Sequence, residues 1–190
     1  MRSPLLLAAT LATLLVGCSS DDASVGDTVS PGSLVVPASD EDAAATARDV
    51  LVGQIVPAVE AVEAELGAPQ RYFEVTANAQ FVNVFVAVDD ETAAVAYLFT
   101  DGELQPPAPK REGAAGKTFG ADDIEFDESS VFEQVAEQLP STSVNAFSVY
   151  GDGVGATYVI GGRSAAGGLL DIVVQADGQV VSVDPVGLDL

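Results

Sequence analysis

The 190-residue chain has no histidine, no tryptophan and a single cysteine, and only 7 Lys+Arg stand against 29 Asp+Glu. Each shortage removes a class of chemistry. Without histidine there is no Ser-His-Asp triad and no His-ligated zinc. With one cysteine, Cys18, there is no intramolecular disulfide, so stability must come from packing. Without tryptophan, and with only 4 Tyr, there is no obvious platform for a sugar ring. The scarcity of cations leaves a formal net charge of −22. A nucleic-acid partner is excluded, because phosphate binding needs a basic footprint. Anionic lipid headgroups would repel such a surface as well. Basic ligands, a basic protein or peptide, or divalent cations are the electrostatically sensible partners, although acidity by itself also confers solubility. The Ala/Val/Gly/Asp-rich, Lys-poor composition fits a high-GC organism such as an actinobacterium.

What is present begins at the N-terminus. Arg2 is followed by an apolar run from Leu5 to Val16, interrupted only by Thr10 and Thr13. That run falls short of the ~20 apolar residues a membrane span requires. Charge, short apolar run and small residues in this order are the layout of a secretory signal, predicted here for 1–17. Leu15-Val16-Gly17-Cys18 resembles the lipobox of bacterial lipoproteins. The resemblance implies cleavage between Gly17 and Cys18 and a thiol-linked diacylglycerol on Cys18. Its two acyl chains are enough for stable anchoring at the outer face of the cell membrane, where one would be marginal. Arg2 leaves with the leader, so six cations remain against 29 acids and the 173-residue mature chain carries −23. Residues 18–38, rich in Ser, Asp, Gly and Pro and without period, read as a flexible tether.

Beyond the tether the pattern is α+β. Ser39 and Asp42 have N-cap and N3 spacing, and an apolar stripe of Val52, Ile55, Val59, Val62 and Leu66 predicts a helix that Pro57 kinks or restarts and Gly67 and Pro69 end. Alternation predicts strands over 72–77, 81–88 and 92–100, an Asp101-Gly102 hairpin turn, and a short return over 103–105. Residues 108–126 lose all period and read as a linker. Then the order recurs. Ser130 and Glu133 have capping-box spacing before a stripe of Val131, Phe132, Val135 and Leu139. Strands follow over 144–150, 156–160 and 169–175, then Asp177-Gly178 and a return over 180–183. Leu66 with Leu139, Phe73 with Phe147, Val86 with Ile160, and Asp101 with Asp177 lie 73, 74, 74 and 76 positions apart. Near-constant offsets predict two tandem helix-plus-antiparallel-sheet units, 39–107 and 127–190.

The closing hairpin Asp177-Gly178-x-Val180-x-x-Val183 resembles that of PepSY domains. In the first unit only Asp101-Gly102 fits, since Leu104 and Pro107 stand where the valines would be. The duplicated architecture is also similar to beta-lactamase inhibitory proteins, in which a concave sheet grips a partner. The resemblance implies a non-catalytic binding or inhibitory module and assigns no functional residue.

Three features of the sequence bear on chemistry. Gly113 to Thr118 falls short of a phosphate loop, because the first glycine of the true spacing would stand at Arg111. Asp123, Glu125 and Asp127 alternate as calcium-loop ligands do, but Glu128 and Gln134 occupy the positions where Gly and Glu are required. A carboxylate pair is compatible with 29 acids, so a carboxylate-based hydrolase or a calcium-dependent surface protein is the alternative to a binding module. No cofactor, metal or catalytic residue is assigned. If Val82, Val84, Val86 and Val88 pack on the helix stripe, alternation sends Phe81, Phe85, Tyr97, Phe99 and, in the second unit, Tyr158 to the opposite face. There they would serve as partner-binding anchors, unless the two sheets stack and bury them. Leu170, Ile172 and Val174 are expected to face Val135 and Leu139.

Overall fold

A computed structural model describes residues 49–186. The expected leader, Gly17, Cys18, the tether and the Ser39–Asp42 helix start lie outside the described residues.

The first helix, α1, spans Ile55–Leu66 and is entered through a 3-10 turn at Val52–Gln54. Pro57 is its third residue, where its missing N–H costs no intrahelical bond. Val52, Ile55, Ala58, Val59 and Val62 are buried, as the stripe requires. Leu66 corrects the expected stripe. It is 41% exposed, because it is the last helical residue before Gly67 turns left-handed at φ 73° and sends the N–H of Gly67 back to the Glu63 carbonyl.

The strands are β1 (Tyr72–Ala77), β2 (Val82–Val88), β3 (Ala93–Thr100), β4 (Glu103–Leu104), β5 (Arg111–Glu112), β6 (Thr142–Gly151), β7 (Ala156–Ser164), β8 (Leu169–Val174) and β9 (Val180–Pro185). Helix α2, Glu128–Gln138, precedes β6. Its N-cap is Asp127, whose carboxylate accepts the N–H groups of Ser129 and Ser130. The helix therefore starts three residues before the expected Ser130 cap, because Asp127 already satisfies its free donors.

All strand pairs are antiparallel and build one nine-stranded sheet in the order β4-β3-β2-β1-β6-β7-β8-β9, with β5 also on β3. The join is β1 on β6, where Val75 pairs with Val149 and Ala77 with Phe147. The sheet segments thus meet edge to edge and do not stack. Residues of α1 and α2 share one core with the inward residues of β1, β2, β3, β6, β7 and β8, so both helices cover the same face. Each fully buried Val or Ile there contributes roughly 1.5–3 kcal/mol before entropy is counted.

Residues 108–126, expected to be a linker, are packed into this framework. Gln105, Ala108 and Gly113 donate N–H bonds to Leu98, Ala96 and Thr92, so the chain from β4 to β5 follows the outer side of β3. Pro106, Pro107 and Pro109 lack N–H groups and blunt that edge against further pairing. Phe119 exchanges both backbone bonds with Tyr72 and is fully buried.

Candidate functional site

With both helices on one face, the other is left without a covering element among the described residues. Its composition follows from register. Val88 pairs with Ala93 across a four-residue turn, Asp89–Thr92, so odd-numbered residues of β2 lie opposite even-numbered residues of β3. Asn83 pairs with Leu98 and Phe85 with Ala96, which puts these four on the open face. Val84 pairs with Tyr97 and Val82 with Phe99, which puts those four under α1.

The expected aromatic face is therefore divided. Phe85 lies on the open face, half-buried, and Phe81 is half-buried in the turn just before β2. Tyr97, Phe99 and Tyr158 are each 6% exposed and belong to the helix-side core. The expected placement of these three is corrected by pairing parity, and burial withdraws them as surface anchors. Tyr158 pairs with Val149 and Val174, packs with Phe126 and Phe147, and serves as an internal clamp. Its hydroxyl donates to the Glu125 carbonyl at 2.7 Å and accepts the Glu125 N–H at 2.9 Å. The expected facing in 127–186 agrees better: Val135, Ile172 and Val174 are buried in one core, with Leu139 and Leu170 partly buried against it.

Across the middle of the open face runs the row Ala96–Phe85–Glu74–Tyr150–Thr157, each residue directly paired with the next. Beside it runs Leu98–Asn83–Thr76–Ser148–Val159–Val173–Ser182. Ala146, Gly161, Asp171 and Asp184 continue the surface on the far side. An uncovered antiparallel face is ordinarily polar; this one is mixed, with Phe85, Leu98, Tyr150, Val159 and Val173 set among Glu74, Thr76, Asn83, Ser148 and Thr157.

Glu74 stands at the centre of that row, half-buried between Phe85 and Tyr150. It forms no salt bridge among the described residues; the cations that pair do so elsewhere. Arg71 lies beside Glu91 and Asp123 and donates to the Thr118 carbonyl at 2.7 Å. Lys110 is held by Asp89 and Glu112, which raise its pKa. Glu74 Oε1 accepts the Thr76 hydroxyl at 2.5 Å, and Thr76 Oγ1 lies 2.7 Å from Ser148 Oγ. Burial, and then the charge of Glu74, push the Tyr150 phenol above its ordinary value, so it stays protonated. None of Glu74, Tyr150, Leu98, Val159 or Val173 was anticipated as a site residue. Only the strand registers could have marked them, since Glu74 becomes notable through its two cross-strand neighbours.

The acidic series Asp123, Glu125 and Asp127 does not converge. Asp123 accepts the Gly120 N–H and faces Arg71, Asp127 caps α2, and the Glu125 backbone is held by Tyr158. Among the described residues no group of three His, Cys, Asp or Glu could hold a metal ion. No helix there is long and apolar enough to cross a membrane.

Compared with protein-family models, characterised proteins and solved structures, the chain matches none.

Proposed function

We propose that this chain is a lipid-anchored, extracytoplasmic binding module that docks a protein partner on its open sheet face and catalyses no reaction. The observation that carries the reading is the open face, on which the large apolar side chains of Phe85, Leu98, Tyr150, Val159 and Val173 stand among polar ones and are left uncovered by both helices. Large apolar side chains gathered on an uncovered face mark interaction surfaces. The leader-like 1–17 and lipobox-like Leu15–Cys18 support a position at the outside of a cell membrane, held by acyl chains on Cys18 and not by the acidic surface. The partner is a basic protein or peptide, attracted by the net charge.

The architecture reads as a duplication of a PepSY-like unit. In each copy a helix precedes four strands, α1 with β1 to β4 and α2 with β6 to β9. In each, the pairing of the first strand with the second carries one irregularity near its start, between Tyr72 and Glu74 and between Val144 and Ala146. Joining the first strands doubles the width of the face without doubling its edges. A hydrolytic carboxylate pair is less favoured on this face: Asp171 and Asp184 are direct cross-strand neighbours but both are exposed on the open sheet, and half-buried Glu74 lies three strands from Asp171.

The test is affinity capture from native membranes with the wild-type protein and with Ala96→Arg and Val159→Arg. Each substitution plants a long cation on the open face and leaves the helix side alone. A partner retained by wild type and lost by both variants supports the reading. Equal capture by all three refutes it.

A further inference from the structure

We propose that the Phe85–Glu74–Tyr150 row receives the guanidinium of an arginine side chain from the docked partner; this rests on the open face being the docking surface. Among the described residues Glu74 is a carboxylate without a cation, flanked by two aromatic side chains in the middle of the open face, in a chain whose cations are few and partly committed elsewhere. A half-buried, unneutralised charge of this kind is costly on its own and is relieved by an incoming opposite charge. The site is prearranged for one. The Thr76 hydroxyl holds Oε1, and the Thr76–Ser148 contact holds Thr76 in turn. Neither hydroxyl neutralises the charge.

The flanking residues select the kind of cation. Phe85 and Tyr150 are the direct cross-strand neighbours of Glu74 on its two sides. Their strands lie two spacings apart, roughly 9.5 Å, so a cation seated over Glu74 falls about 5 Å from each strand axis. That lateral spacing between strands is of the order of the ~6 Å over which an aromatic ring attracts a cation. A guanidinium is planar, forks onto a carboxylate, stacks on aromatic faces and sheds water more readily than an ammonium. Ala96 and Thr157, at the two ends of the row, are short enough not to crowd the approach. The Tyr150 phenol, kept protonated by burial and by Glu74, adds no competing negative charge.

The experiment uses the isotope-labelled protein purified from membranes in a neutral detergent, titrated with N-acetyl-arginine amide at physiological salt. The citrulline and lysine analogues serve as neutral and ammonium controls. Saturable amide shifts at residues 74, 85 and 150 are expected, with at least about fivefold weaker response to lysine and none to citrulline. Glu74→Gln, which keeps the size and hydrogen-bonding capacity of the side chain, should weaken arginine binding about tenfold or more with an unchanged circular-dichroism spectrum. Equal responses to arginine and citrulline would overturn the proposal. So would arginine shifts confined to the acidic helices and indifferent to Glu74→Gln. If partner capture is abolished by Ala96→Arg but unaffected by Glu74→Gln, the docking face stands and the arginine site falls.

Discussion

Tyr158→Phe separates a structural tyrosine from a surface anchor. The ring would stay in place against Phe126 and Phe147, at centroid distances of 5.6 and 5.9 Å, so little packing is lost. What disappears is the hydroxyl that satisfies both the N–H and the carbonyl of Glu125. Each such bond is worth about 0.5–1.5 kcal/mol, and a part-buried orphaned donor adds to the loss. The expected destabilisation is about 2 kcal/mol, or a Tm lower by about 4–8 °C for a domain of this size. Urea unfolding followed by circular dichroism measures it directly. Partner capture should be unchanged under conditions where the variant is folded. A variant as stable as wild type that had lost its partner would refute the reasoning, because Tyr158 would then be acting at the surface.

Gly178→Ala should cost about 3 kcal/mol, since its φ is +89° and a Cβ would sit 2.5 Å from Val131 Cα on α2. Gly102→Ala, at φ +79° with nothing within 4 Å, should cost only about 1–2 kcal/mol; equal losses in urea melts would contradict the helix–hairpin contact. Asp127 is held below the usual carboxylate range, chiefly by the Ser129 hydroxyl and the Ser130 N–H. Its contribution is therefore present above the unfolded value of about 3.9 and is lost as pH falls through the lower folded value. The stability gap between wild type and Asp127→Asn should be constant near pH 6 and close toward pH 2; a gap that persists at pH 2 would assign it to another cause. Cys18→Ser should give a precursor that is neither lipidated nor cut before residue 18, and mass spectrometry finding a free thiol on a mature chain starting elsewhere would remove the anchor.

Strand positions were legible because alternation is local: the expected 72–77 is β1, and the other strands differ by a few residues at their ends, except two-residue β5, which falls in the expected linker and was not foreseen. The α+β class and the antiparallel pairing followed from the same pattern. Which strand faces share a side was not legible, since it depends on the number of residues in each turn. The four residues of Asp89–Thr92 are what separate Phe85 from Tyr97. A three-residue turn would have put them together, as expected from strand parity alone. Phe119 was missed for a related reason, because an isolated aromatic in a segment without period is buried only through its long-range exchange with Tyr72. Asp127 was passed over as a cap because Ser130 and Glu133 offered the same local spacing. Glu74 carried no sequence signal, one acid among 29 until its neighbours on β2 and β6 were in place.

The central claim is that the uncovered sheet face, and not the helix side, meets the partner. It is tested most directly by in-cell photocrosslinking, with a benzophenone amino acid placed singly at Leu98 and Val159 on the open face and at Glu60 and Glu133 on the helices. Crosslinks to one protein from positions 98 and 159, and none from 60 and 133, are the expected result. The same protein crosslinked from positions 60 and 133, with 98 and 159 silent, would contradict it.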